Sequence, residues 1–156
     1  MKFSIYTDGA ARGNPGKSAS GYMVYVDGRL IIEASFYNGI CTNNVAEYKA
    51  ALKALKDVAD KYGYSNSVEL YSDSKLMVSQ LNQLYKTKDP NLKKLNSEII
   101  KIAKKFEKCE FFNVPREEEH ISAVDQAINR FLDSLDSNKY HNNEYKHITD
   151  NNQKRL

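Results

Sequence analysis

The chain runs through two hydrophobic rhythms in turn. From Lys2 to Thr7, Phe3 and Ile5 alternate with Ser4 and Tyr6, the period-two pattern of a half-buried strand. Two more strand patterns, Gly21–Asp27 and Arg29–Tyr37, meet at Asp27-Gly28, a dipeptide suited to a tight hairpin turn. An antiparallel three-stranded meander is therefore predicted to open the chain. From Asn44 to Tyr62 the period becomes helical. Val45, Tyr48, Leu52, Leu55, Ala59 and Tyr62 form one stripe, widened by Ala51, Ala54 and Val58. Lys49, Lys53, Lys56, Asp57, Asp60 and Lys61 fill the opposite arc, and Gly63 is a natural stop.

The second half repeats this alternation. Ser67–Ser72 reads as a fourth strand, and a helix follows at once from about Asp73 to Leu84. Pro90 marks a break, after which Leu92, Leu95, Ile99, Ile102 and Phe106 define a third helix with lysines on its outer face. Glu110–Val114 is a fifth strand, and a fourth helix spans about Ser122 to Leu135. Residues 137–156 are rich in Asn, Lys and His and poor in apolar side chains, which predicts a loosely held tail behind a single domain of residues 1–136. The order implies an α/β fold: a five-stranded mixed sheet, three antiparallel strands then two parallel, flanked by about four helices. A right-handed crossover through the long helix makes strands one and four parallel neighbours. Asp8 and Asp73, each expected just past a strand's C-terminal end, then share the sheet edge at which open α/β sheets bind ligands.

Four acids stand out against this framework. At 100° per residue Glu47 falls inside the apolar arc of the long helix, beside Ala54 and Val58 and away from the lysines. A carboxylate facing a sheet must be paired, protonated or bound to metal, and no arginine is placed for it. Asn44 and Glu47 also have capping-box spacing. Asp73 equally suits a helix cap, Asp8 a turn, and Asp125 the dipole-favoured first turn of the last helix. Taken together, four carboxylates without a Cys or His cluster form a donor set for a hard cation, Mg²⁺ or Mn²⁺, rather than for zinc or copper. Such a cluster suits two metals clamping a phosphodiester.

Composition narrows the classes. One domain of 156 residues can bury a core without staples. No apolar run approaches membrane-spanning length, and no basic-then-apolar leader opens the chain. Two cysteines, Cys41 and Cys109, make neither a disulfide framework nor a zinc site, and suit buried thiols in a reducing compartment such as the cytoplasm. The net charge is only +3, but the Lys86–Lys108 stretch is a basic block, which favours a polyanionic partner.

At this point the motifs converge. Thr7-Asp8-Gly9, Gly13-Asn14-Pro15-Gly16, Thr42-Asn43-Asn44 with Ala46-Glu47, and Ser72-Asp73-Ser74 together resemble type 1 ribonuclease H, in order and across most of the chain to about residue 135. The resemblance is to compact archaeal-type members, because no basic, aromatic-rich handle follows the second helix. It implies an RNase H-like fold and cleavage of the RNA strand of an RNA/DNA hybrid by two divalent cations, leaving 5′-phosphate and 3′-hydroxyl ends. Carried over, the metal-binding catalytic residues are Asp8, Glu47, Asp73 and Asp125. Asn14, Thr42, Asn43, Asn44 and Ser74 fall at nucleic-acid-contacting positions, with Thr42 matching a residue that grips a DNA-strand phosphate. A monomer acting in the cytoplasm is expected.

The last motif departs from the pattern. Val114-Pro115-Arg116-Glu117-Glu118-Glu119-His120 leads to Val124-Asp125, with Val124 in place of the usual Ala and Ile121 where Asn is common. His120 is either a proton-transfer or product-release residue or an ordinary solvated histidine, and Asp133 is an alternative fourth ligand. Lys86, Lys88, Lys93 and Lys94 either track DNA phosphates or form a solvated helix face. A non-catalytic nucleic-acid-binding module is the competing functional class.

Overall fold

The computed structural model describes residues 1–137 and 143–149. Its elements are β1 (Lys2–Arg12), β2 (Gly16–Val26), β3 (Arg29–Cys41), α1 (Asn43–Tyr62), β4 (Ser67–Ser72), α2 (Lys75–Leu81), α3 (Pro90–Ala103), β5 (Lys108–Asn113), α4 (Glu119–Ser137) and β6 (Glu144–Ile148). The sheet order is β5-β4-β1-β2-β3-β6. β1 pairs parallel with β4 and β4 with β5, while β1, β2 and β3 form the expected antiparallel meander. Asp27 and Gly28 both take positive φ, 50° and 77°, as the tight turn between β2 and β3 requires.

The strand alternation sorts the core into two layers. Phe3 and Ile5 of β1 pack with Tyr48, Leu52, Leu55 and Val58 of α1 and with residues of α2 and α3. On the other face Tyr6 and Ala10 of β1, with Ala19 and Met23 of β2, meet Val124, Ile128 and Leu132 of α4. Helices thus cover both faces of one sheet, which is why the period-two strands carry apolar residues at both parities near its centre.

Three expectations need correction. The sheet has six strands, not five, because Glu144–Ile148 pairs antiparallel with β3 from Ile32↔Ile148 to Phe36↔Glu144. That strand lies within the stretch read as a polar tail. Its side chains are exposed, so no apolar alternation announced it; backbone pairing and the ion pair of Lys146 with buried Asp57 (3.1 Å) hold it to the edge. Residues 138–142 and 150–156 of that stretch lie outside the described residues. Second, β1 continues to Arg12, so Asp8 lies within the strand, opposite Gly21, rather than past its end. Hairpin pairing from Gly9↔Ser20 to Arg12↔Lys17 extends it through the glycine-containing segment. Third, α4 begins at Glu119, which puts His120 in a helical first turn and not in a loop.

Candidate active site

β1 runs on beyond its last pair with β4, Tyr6↔Tyr71. The chain leaving β4 therefore turns beside the segment that holds Asp8, and Asp73 sits at that turn. Ser74 caps α2 by accepting a hydrogen bond from the Met77 N–H (3.1 Å), and its own N–H donates to Ser72 Oγ (3.0 Å). Asp73 is therefore not spent as the cap, and its carboxylate is left for the site.

Glu47 arrives from α1, and the close approach depends on Gly9. A Cβ built on Gly9 would lie 2.4 Å from the Ala46 carbonyl carbon and 2.5 Å from the Glu47 nitrogen, so no side chain fits between β1 and the start of α1. Ser20 on β2 donates its hydroxyl to the Ala46 carbonyl and accepts from Asn38 Nδ2 (2.8 Å), which fixes the same helical turn from the neighbouring strand. Thr42 caps α1, accepting from the Val45 N–H (3.2 Å). With Thr42 as the cap, Glu47 is not placed for a capping box, and its carboxylate is left beside those of Asp8 and Asp73.

The result is a cluster in which Asp8, Glu47 and Asp73 bring one carboxylate oxygen each within 4.8 Å of one another. Asp8 is buried and the other two are half-buried. Burial, then the charges of Asp73 and Glu47, push the Asp8 carboxyl up to about 8, against a single opposing hydrogen bond from the Gly9 N–H (2.9 Å). Burial and then Asp73 push Glu47 up to about 8 as well. Burial also raises Asp73, but the Arg116 guanidinium works against it. Three acids that repel one another in a partly desolvated site suit a divalent cation, whose charge would offset both costs, and an all-oxygen donor set fits Mg²⁺ or Mn²⁺.

Asp125 lies outside this tight group. It is half-buried on α4, with Asn129 Nδ2 donating to its carbonyl (2.9 Å), and its charge raises both Asp8 and Asp73, so it faces the same region from the opposite layer. Asp133 pairs with Arg12 (2.8 Å) two turns further along α4. His120 is held elsewhere. Its ring stacks on Tyr6 (centroids 4.3 Å apart) and meets Tyr25 edge-on (4.8 Å), while Nδ1 lies 2.7 Å from Glu118 Oε2. Burial raises Glu118, yet the bonds from His120 and the Ile121 N–H outweigh it and hold that carboxyl below the usual range.

Asn14, Asn43 and the start of α1 form a strap beside the acids. The Asn43 side-chain oxygen accepts from the Ala11 N–H (2.8 Å), and the Asn14 side-chain oxygen accepts from the Asn43 N–H (3.0 Å). Both asparagines are exposed, and with their oxygens occupied their amino ends remain as outward donors. Asn44 is exposed next to them in the first turn of α1, and half-buried Ser74 is tied up in capping. Arg116 carried no functional expectation of its own. Its only sequence signal was a place in the loop between the last strand and the helix of Asp125, and the fold brings its charge to Asp73.

A mixed sheet with helices on both faces and a carboxylate cluster at the end of its central parallel pair defines a class of α/β proteins whose sheet end could hold a hard cation. The comparisons specify it. The family model described as RNase H matches residues 1–140. Ribonuclease HI of Halobacterium salinarum is 38% identical over 112 residues, covering 71% of this chain and 55% of that protein. The crystal structure of RNase H1 from that halophilic archaeon superposes with a TM-score of 0.80 at 33% identity, over 86% of this chain and 99% of that one. LC11-RNase H1, isolated from compost, gives 0.73 at 37% identity in its complex with an RNA/DNA hybrid, over 83% of this chain and 99% of that one. This chain belongs to the RNase H family, among the type 1 proteins. It spans about half the length of the Halobacterium protein and of the Chlorobaculum parvum ribonuclease H that it also resembles.

Proposed function

We propose that this protein is an endoribonuclease that hydrolyses the RNA strand of RNA/DNA hybrids by two-metal-ion catalysis, leaving 5′-phosphate and 3′-hydroxyl ends. The observation that carries the reading is the convergence of Asp8, Glu47 and Asp73 from three separate elements to within 4.8 Å. These three would hold Mg²⁺ or Mn²⁺, with Asp125 completing the set once a substrate phosphate shares the site. Bound there, the cations supply Lewis acidity towards the phosphodiester and lower the pKa of attacking water. The chain's own residues position the substrate. The outward amino ends of Asn14 and Asn43 offer donors to minor-groove acceptors and 2′-hydroxyls, the features that tell RNA from DNA. Thr42 offers its hydroxyl proton to a phosphate of the other strand. A family member of similar fold has been captured on an RNA/DNA hybrid, which supports the same substrate here. The site is Asp8, Glu47, Asp73 and Asp125, with His120 outside the group that would touch the reacting atoms. The enzyme acts as a monomer in the cytoplasm, where Cys41 and Cys109 stay as free thiols.

The test is cleavage of an end-labelled RNA/DNA hybrid with Mg²⁺, Mn²⁺ or chelator, beside Asp73→Asn, with single-stranded RNA, RNA/RNA and DNA/DNA as controls. Metal-dependent cutting confined to the hybrid's RNA strand and lost in the variant is expected. Tight hybrid binding without cutting in either metal would replace the enzyme reading with that of a binding module.

A further inference from the structure

Packing at Gly9 brings Glu47 against the strand of Asp8, but the spacing of Asp8 and Asp73 has a different origin. β1 keeps its pairing with β2 through this region, with Asp8 opposite Gly21, whereas its pairing with β4 ends at Tyr6↔Tyr71. β4 stays with β5 one residue longer, to Ser72↔Asn113, and the Ser72 carbonyl accepts from both the Val114 N–H (3.0 Å) and Asn113 Nδ2 (3.0 Å). Asp8 is therefore held to β2 and the turn of Asp73 to β5, on opposite sides of the point where β1 and β4 part. Two side-chain contacts cross that point. Thr7, which shares the parity of Phe3 and Ile5 on the face covered by α1, is fully buried and donates its hydroxyl to the Tyr71 carbonyl (3.3 Å). On the other face the Tyr6 and Tyr71 rings stack, with centroids 4.8 Å and planes 13° apart. Tyr6 and Tyr71 each stand two residues before an acid of the cluster, Asp8 and Asp73.

We propose that Thr7 is a positioning residue for the metal site: its hydroxyl, opposite the Tyr6–Tyr71 stack, clamps β1 to β4 and so holds the Asp8 and Asp73 carboxylates at the separation that a small divalent cation needs. The inference rests on the reading above, in which these acids hold Mg²⁺ or Mn²⁺. Carboxylates within 4.8 Å of one another repel before a cation arrives, and that force acts to spread the strands that carry them. The backbone ladder between β1 and β4 does not resist it, because its last pair lies two residues before the acids. The clamp does. Water does not reach the Thr7 hydroxyl, so parting the strands leaves that donor buried and unsatisfied. Width matters because Mg²⁺ demands near-octahedral geometry at about 2.1 Å, whereas Ca²⁺ accepts flexible geometry at about 2.3 to 2.6 Å. A site freed to widen therefore loses Mg²⁺ more than it loses Ca²⁺.

The test is isothermal titration of the full chain with Mg²⁺ and with Ca²⁺, each metal alone, at pH 8. Thr7→Val keeps the shape of the side chain and removes the hydroxyl. It is expected to weaken Mg²⁺ binding by about tenfold, the low end for loss of an outer-shell partner, and Ca²⁺ binding by less, so that the Mg²⁺/Ca²⁺ affinity ratio falls. Thr7→Ser keeps the hydroxyl and is expected to retain the ratio. Tyr71→Leu, at a half-buried position, removes the stack and is expected to lower the ratio in the same sense, while Tyr71→Phe retains it. That second pair decides the matter if Thr7→Val does not fold. A melting temperature in chelator that drops while the ratio stays at the wild-type value makes the role merely structural and overturns the proposal. A ratio that falls equally in Thr7→Ser also overturns it. If the wild type takes up neither metal, the metal reading falls and the clamp with it. If the wild type binds both metals and Thr7→Val binds them in the same ratio, the clamp alone is overturned.

Discussion

Helix α1 carries two carboxylates withdrawn from water at its two ends, and they have opposite surroundings. Asp57, towards the C-terminal end, is buried, accepts a hydrogen bond from the Tyr22 hydroxyl, and meets Lys53 at 3.3 Å and Lys146 at 3.1 Å. Glu47, ten residues earlier and so about 15 Å away, meets two more carboxylates and, among the described residues, pairs with no lysine. The first acid is neutralised by the chain itself and ties β2, α1 and β6 together. The second belongs to a group that the folded chain leaves short of positive charge. Burial of an acid is therefore not what marks the site. The missing counter-charge is, because a carboxylate cluster kept unpaired through folding costs stability unless something binds it.

Substitutions at the two ends should separate activity from stability. The largest effect is expected for Asp8→Asn or Asp73→Asn. Turnover of an RNA/DNA hybrid should fall by more than the roughly 100-fold typical of losing an outer-shell partner. The melting temperature without metal, measured at pH 8, should hold or rise, because a like charge has been removed. A variant that unfolds instead would place these acids with Asp57.

Gly9→Ala tests the packing that delivers Glu47. A methyl group there meets the Ala46 and Glu47 backbone, and overpacking of this kind costs about 1–3 kcal/mol. Isothermal titration with Mg²⁺ should show weakened binding, while the Asp57 end is untouched. Asp57→Ala is the converse. It strands the Tyr22 hydroxyl, with a cost of about 1–3 kcal/mol in urea denaturation, and the folded fraction should cut at the wild-type rate.

The pH dependence sharpens the contrast further. Asp8 and Glu47 titrate near 8 in the fold, against ordinary values of 3.8 and 4.5. Between those values the folded state binds more protons than the unfolded chain, so their contribution to stability is fully present below about pH 4 and is lost as the pH rises through 8. Divalent cation should therefore raise the melting temperature more at pH 8 than at pH 5. An equal shift at both pH values would contradict unpaired acids. The smallest effect is expected for His120→Ala, which loses a ring stack worth about 0.5–1.5 kcal/mol. A large drop in turnover with little change in stability would return His120 to a proton-transfer role.

Much of this was legible along the chain. The apolar stripe of α1, the Asp27-Gly28 turn and the strand alternation are local patterns, and each element formed within a few residues of where they point. Glu47 was legible too, because a carboxylate on an apolar helical arc is a local contradiction that only a ligand or partner resolves. Asp73 was half-legible: the cap it could have supplied comes from Ser74, a choice between adjacent residues that periodicity does not make.

What the sequence determined by itself was the order and kind of the elements and the four motifs that bring them into the RNase H family. The tertiary structure alone decided the rest. It extended β1 past Asp8, because hairpin pairing with β2 outlasts the parallel pairing with β4. It added β6, whose polar residues carry no apolar rhythm and whose place depends on the free edge of β3 and on Asp57. It drew Asp8, Glu47 and Asp73 into one cluster, set Asp125 at its margin, and gave His120 to an aromatic stack. Periodicity reports which face of one element is dry. Which acids meet, and which of them find a counter-charge, depends on pairings between residues far apart in the chain.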